Sequence, residues 1–184
     1  MKIKGTAVKS IPEYVKMRFP EQFNSWIESL PFESQKIFTQ GIVTSNWYDL
    51  GQAVVMPTKK VGEIFFLDTR KGAWDSGRFS ALQALSGIYS MYVKYNAPEH
   101  IIERASRVFS AYYESSEMGV VNSSKKSVEL TIKNFENIHE VVEFRIGGWI
   151  EKALEITGCK DIHVEIKSAI SKGAGNTVYK ATWN

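Results

Sequence analysis

Residues 149–166 read WIEKALEITGCKDIHVEI, and a change of period inside this stretch decides the fold. Trp149, Ile150, Ala153, Leu154 and Ile156 share one side of a helix. Gly158 then stands where a left-handed C-cap ends that helix, a backbone shape that glycine takes without a Cβ penalty. Beyond the cap, Ile162, Val164 and Ile166 alternate with His163, Glu165 and Lys167, as a strand with one buried face requires. The only cysteine, Cys159, therefore reads as a small apolar turn residue, with His163 on the face opposite the apolar set. The two side chains are not expected to converge on a metal.

Reading outward, SKGAGN (171–176) turns the chain into TVYKATW (177–183), a last strand pairing with its predecessor. Upstream, Val128, Leu130 and Ile132 alternate with polar residues, with EMGVV (117–121) as the strand before them and NSSKK (122–126) as the hairpin loop. RIGGWIEKAL (145–154) places two glycines just ahead of the helix, which suits either tight helix packing or a pocket wall formed by Trp149.

The first half is helical in pattern. Tyr14, Val15, Phe19, Phe23, Trp26, Ile27 and Leu30 fall at helical intervals, with Pro20 splitting the run in two. PFESQKIFTQG predicts a short helix stopped by Gly41. TSNWYDLGQAVVM predicts another behind the capping candidates Ser45 and Asn46, which Pro57 bends or restarts before 61–67. The set Ala81, Leu82, Leu85, Ile88, Tyr89, Tyr92, Val93 and the set Ile101, Ile102, Ala105, Val108, Phe109, Tyr112, Tyr113 follow one identical amphipathic spacing, separated by NAP. Helices first and a small antiparallel sheet concentrated in the C-terminal half define an α+β class, read as one domain over 1–184.

The bulk properties exclude several functions. The 184 residues carry a formal charge of only +3, with 43% apolar and 23% charged residues, close to globular averages. Lysines and arginines are scattered among acids, without the basic stripe that phosphate neutralisation needs, so no nucleic-acid partner is expected. No apolar run approaches a membrane span, no signal segment opens the chain, and one cysteine makes no internal disulfide; a cytoplasmic location is the expectation. His100, His139 and His163 lie far apart, and no CxxC or HxxxH spacing marks a metal site. SKGAGN lacks the lysine, serine and helix of a P-loop. No acid/base pair or activated nucleophile is evident, so the chain is read as a non-enzyme.

KGTAV (4–8), GIVTSNWYDL (41–50), GRFSALQALSGIYSMYV (77–93), RASRVFSAYYESSEMGV (104–120), GGWIEKALEITGCKDIHVEI (147–166) and GAGNTVYKATW (173–183), in this order, resemble a bacterial family of the 4-vinyl-reductase-like domain group. That superfamily also holds haem-nitric-oxide-binding domains, phenol-sensing input domains and TRAPP vesicle-tethering subunits. The resemblance implies a mixed helix and sheet fold, often around an apolar cavity. Phenol-sensing members hold zinc on cysteines whose positions here are Ala169 and Thr177, so zinc is disfavoured. Haem members use a proximal histidine and a tyrosine-serine-arginine signature absent here, so no cofactor is expected and haem is disfavoured.

Together these readings predict a small-molecule sensor whose cavity, lined by Trp47, Tyr89, Phe109, Tyr113 and Trp149, takes an apolar ligand and signals to a partner protein. The alternatives are a TRAPP-like dimerising or tethering protein and, more weakly, a haem-based gas sensor.

Overall fold

A computed structural model describes residues 1–85 and 106–184. Strand β1 (Lys2–Lys4) leads directly into α1 (Gly5–Arg18), followed by a 3-10 turn at Pro20–Gln22, α2 (Phe23–Glu28) and α3 (Phe32–Thr39). Strand β2 (Trp47–Asp49) pairs antiparallel with β1, Ile3 facing Tyr48. A π-helical turn at Gly51–Val55, α4 (Met56–Val61) and a second π-helical turn at Gly62–Phe66 lead to α5 (Thr69–Leu85). Residues 106–112 are helical. The second half adds β3 (Glu117–Ser124), β4 (Ser127–Lys133), α6 (Glu140–Ile156), β5 (His163–Ser168) and β6 (Thr177–Thr182). The four later strands form one antiparallel sheet in the order β3-β4-β6-β5, so the α+β class holds, with most of the described helices in the first half and the main sheet in the second.

The alternation in β4 sets the sheet's inner face. Val128, Leu130 and Ile132 are buried and stand opposite Ala181, Tyr179 and Thr177 of β6, which are buried too. Cross-strand pairs of this kind fix register, because a slip of one residue would turn the whole apolar set to water. His163, Glu165 and Lys167 of β5 are exposed, the parity that the sequence predicts. α6 covers the inner face through Val142, Ile146, Ile150 and Leu154, a stripe at intervals of four. Its start is capped by His139, whose Nδ1 accepts from the Val141 amide at 3.1 Å. At its end Gly158 takes φ +93°, and the Cys159 amide donates back to the Leu154 carbonyl at 3.3 Å. Cys159 is buried, its sulfur 3.4 Å from the Thr157 hydroxyl, as a turn residue.

Several local readings need correction. α1 begins at Gly5 and carries Pro12 in its interior, while the break does fall at Pro20. The residues after Ser45 and Asn46 form β2 instead of a helix start, and the cap is Asp49, whose Oδ1 accepts from the Gln52 amide at 2.9 Å. The β3–β4 loop shrinks to residues 125–126, because Asn122, Ser123 and Ser124 pair with β4. The glycine pair lies inside α6, not ahead of it. Tyr89, His100 and half of the two matched stripes lie outside the described residues. Among those described, no helix is long and apolar enough to cross a membrane.

Candidate functional site

The site is built where α6 crosses α5. A Cβ at Gly77 of α5 would stand 1.9 Å from the Arg145 carbonyl oxygen, and one at Gly148 of α6 would stand 2.0 Å from that of Trp74. Only glycine lets the two backbones approach this closely. Trp74 donates from Nε1 to Glu151 at 2.6 Å, and Arg78 pairs with Glu151 at 2.6 Å and Glu155 at 2.5 Å, so the outer side of the crossing is tied by charge.

On the inner side the crossing leaves an apolar cleft of about 50 Å³. Ala7 of α1 and Ser80 of α5 form one wall, and Arg145, Ile146 and Trp149 of α6 another. Val108, Phe109, Tyr112 and Tyr113 close it with Met118 of β3. The Phe109 and Tyr113 rings lie 4.6 Å apart between centroids and tilted by 31°, and both also meet Phe135. Three residues nominated from the sequence, Phe109, Tyr113 and Trp149, thus line one space. Trp47 stands elsewhere: it is 42% exposed on β2, with the Lys4 ammonium 4.4 Å from its ring centre. Tyr89 lies outside the described residues.

Arg145 is the residue that the sequence reading passed over. It is only 4% exposed. Its Nη2 donates to Ser10 Oγ at 2.7 Å, and Ser10 in turn donates to the Ala7 carbonyl at 2.8 Å, with Ser80 Oγ 3.2 Å away. Among the described residues its Nε finds no hydrogen-bond partner and no carboxylate pairs with it. Burial pulls its pKa below the ordinary value, with Tyr113 acting in the opposite sense. A guanidinium starts high enough to keep its charge nonetheless. Burial likewise pushes the Tyr113 phenol up, against the pull of Arg145, so the neighbour is a neutral hydroxyl. A buried charge lacking a counter-charge carries a desolvation penalty of several kcal/mol, which an arriving anion would offset. The signal was present in the sequence: Arg145 falls four after Val141 and three after Val142, on the apolar side of α6.

Elsewhere the chemistry is structural. Glu143, buried in α6, accepts from the hydroxyls of Ser171 and Thr177 and ties the helix to the β5–β6 turn. Ala169 and Thr177, the positions weighed for zinc, offer a methyl group and this bonded hydroxyl. Among the described residues no three His, Cys, Asp or Glu side chains converge as a metal site. A larger depression of about 980 Å³ beside Asp49, Glu114 and His139 is open and mixed in polarity.

No protein-family model matches the chain, and no curated protein matches it either. Solved structures do. The H-NOX protein of S. oneidensis in its Fe(II)NO ligation state superposes with a TM-score of 0.74 at 12% identity, covering 99% of both chains. The Fe(II) unliganded H-NOX protein of K. algicida gives 0.70 at 12% identity, covering 99% of this chain and 97% of that one. The H-NOX of Shewanella woodyi, bound to IWP-051 in its Fe(II)CO state, gives 0.67 at 13% identity over 97% of this chain and 93% of its own. At such identities the likeness establishes the fold. That fold is a mixed helix and sheet architecture, as the resemblance read from the sequence implies.

An iron porphyrin needs an axial ligand and partners for its carboxylates. Arg145 has the chemistry for one carboxylate. Of the described histidines, His139 caps α6 and His163 is exposed on β5, so neither lines the cleft. His100 lies outside the described residues. The described cleft, about 50 Å³, falls well short of the roughly 300–1,000 Å³ of pockets that hold drug-sized ligands.

Proposed function

We propose that the protein is a non-enzymatic sensor domain that binds a small, largely apolar molecule in the cleft between α1, α5, α6 and the 108–113 segment. The observation that carries this reading is the largely apolar space itself, walled by Ala7, Ser80, Phe109, Tyr113, Ile146 and Trp149 on four converging segments of chain. No acid/base pair or nucleophile is found there among the described residues, so binding does the work. A ligand would act by favouring one placement of α6 over the sheet, and a partner protein would read the resulting surface; the shift is limited by the ligand's differential affinity for the two placements. The test is native mass spectrometry and thermal shift of the full chain against neutral compounds of a few carbons, such as butanol and cyclopropane. Saturable binding that Ile146→Phe abolishes is expected. A protein that stays empty and unresponsive to every compound refutes the reading.

A second reading, a haem-based gas sensor, is favoured by the whole-chain likeness to H-NOX structures described in Fe(II) states. That likeness weighs toward haem more than the sequence does, which lacks the tyrosine-serine-arginine signature. Haem would supply an iron centre for a diatomic gas, and Arg145 would hold one of its carboxylates. Supplying haemin to the purified protein and recording the visible spectrum decides it: a Soret band that moves on adding carbon monoxide supports haem, and its absence removes this reading.

A further inference from the structure

We propose that the cleft is an anion-recognition site in which Arg145 holds the carboxylate of a short-chain monocarboxylic acid, the acid's alkyl body lying against Trp149, Phe109 and Ile146. The inference rests on the cleft being a ligand site and names the chemistry of its occupant.

Three observations converge on it. Arg145 is only 4% exposed, yet its Nε has no hydrogen-bond partner among the described residues. Its Nη2 is already oriented by Ser10 on α1, at 2.7 Å, so the group is held in place instead of swinging toward water. The fixed geometry lowers the ordering penalty on binding, since the planar fork is set before the ligand arrives.

The third observation is the match of charge and surface. One buried cation calls for one negative charge, and the rest of the described lining is mainly aromatic and aliphatic. A phosphate or sulfate carries up to two charges and needs a ring of donors, whereas the described lining offers Arg145, one serine and two tyrosine hydroxyls. A carboxylate needs two parallel N–H groups and leaves the rest of the molecule apolar. The space of about 50 Å³ is a third of an apolar cavity of roughly 150 Å³ that accepts benzene, which restricts the body to a few carbons.

The test is an NMR titration of the ¹⁵N-labelled full chain with sodium butyrate and, separately, with butanamide, its uncharged isostere, at constant ionic strength. The Arg145 Nε–H and Trp149 Nε1–H resonances are followed, and the visible spectrum is checked for haem beforehand. Saturable shifts at both groups are expected, with butyrate bound about 10- to 100-fold more tightly than butanamide, the range for a hydrogen bond to a charged group. Arg145→Gln should erase that preference and keep butanamide binding. Should that variant fail to fold, the butyrate-to-butanamide ratio on the native chain still decides.

Equal affinity for the two compounds overturns the carboxylate assignment and leaves the cleft as a ligand site. No binding of either at about 100-fold the concentration of a typical millimolar ligand overturns both. The propionate arm of a porphyrin carries the same chemistry, so butyrate binding by haem-free protein assigns a free acid, and binding only after haemin is supplied overturns that assignment.

Discussion

Gly77 of α5 lies directly against the backbone carbonyl of Arg145 on α6, so that a Cβ at position 77 would come within 1.9 Å of the oxygen. The close crossing it permits places the guanidinium of Arg145 beside Ser10 of α1 and leaves the cleft on the inner side. Gly77→Ala gains about 1 kcal/mol of helix propensity. Against this stands a clash with backbone atoms that no rotamer relieves, and overpacking wins. A net loss of about 1–2 kcal/mol is expected, hence a Tm lower by roughly 2–8 °C in a chain of this size. Gly148→Ala, meeting the Trp74 carbonyl, should behave alike, whereas Gly119→Ala, with nothing within 4 Å, should leave Tm nearly unchanged. Thermal denaturation followed by circular dichroism compares the three.

Glu143→Ala removes the acceptor shared by the Ser171 and Thr177 hydroxyls. Hydrogen bonds to a charged group contribute about 1.5–3 kcal/mol, and the hydroxyls are left inside without partners. Urea denaturation should show a loss of about 2–3 kcal/mol. Hydrogen exchange should rise selectively in the β5–β6 turn, where the Glu143 side chain is the tie to α6. An unchanged exchange pattern would remove Glu143 from that role.

Three buried tyrosines predict the alkaline limit of the fold. Burial raises Tyr14, aided by its 2.5 Å hydrogen bond to Asp75. Burial also raises Tyr179, with Glu143 adding to it, and Tyr113, with Arg145 opposing. Each folded pKa lies above the unfolded value of about 10, so the stability these phenols contribute is complete below that pH and is lost as pH rises beyond it. Their tyrosinate absorbance at 295 nm should appear together with loss of the near-ultraviolet dichroism. Full ionisation near pH 10 with the dichroism intact would contradict their placement.

The sheet and the helix laid on it were legible in the sequence because their signals are periodic. Val128, Leu130 and Ile132 alternate, Gly158 ends α6 as a left-handed cap, and His163 points outward by parity alone. β2 was not legible, since three residues carry too short a pattern and the strand exists only through its pairing with β1. Phe109, Tyr113 and Trp149 could be nominated as aromatics at helical spacing. Trp47 has the same chemistry, but it sits on a two-stranded edge, where no periodicity says which way a ring faces. Arg145 was missed for a different reason. A charged residue in a helix is ordinarily solvated, and the partner of this buried one is a serine 135 residues earlier in the chain, on α1.

The account depends most on a real space beside Arg145. A crystal of the full chain pressurised with xenon tests it directly, since a small apolar cavity of this kind admits the atom. Xenon density bounded by Phe109, Ile146 and Trp149 is the predicted result. Side chains packed solidly across that position, with no xenon bound and Arg145 Nε satisfied by a protein carboxylate, would contradict it.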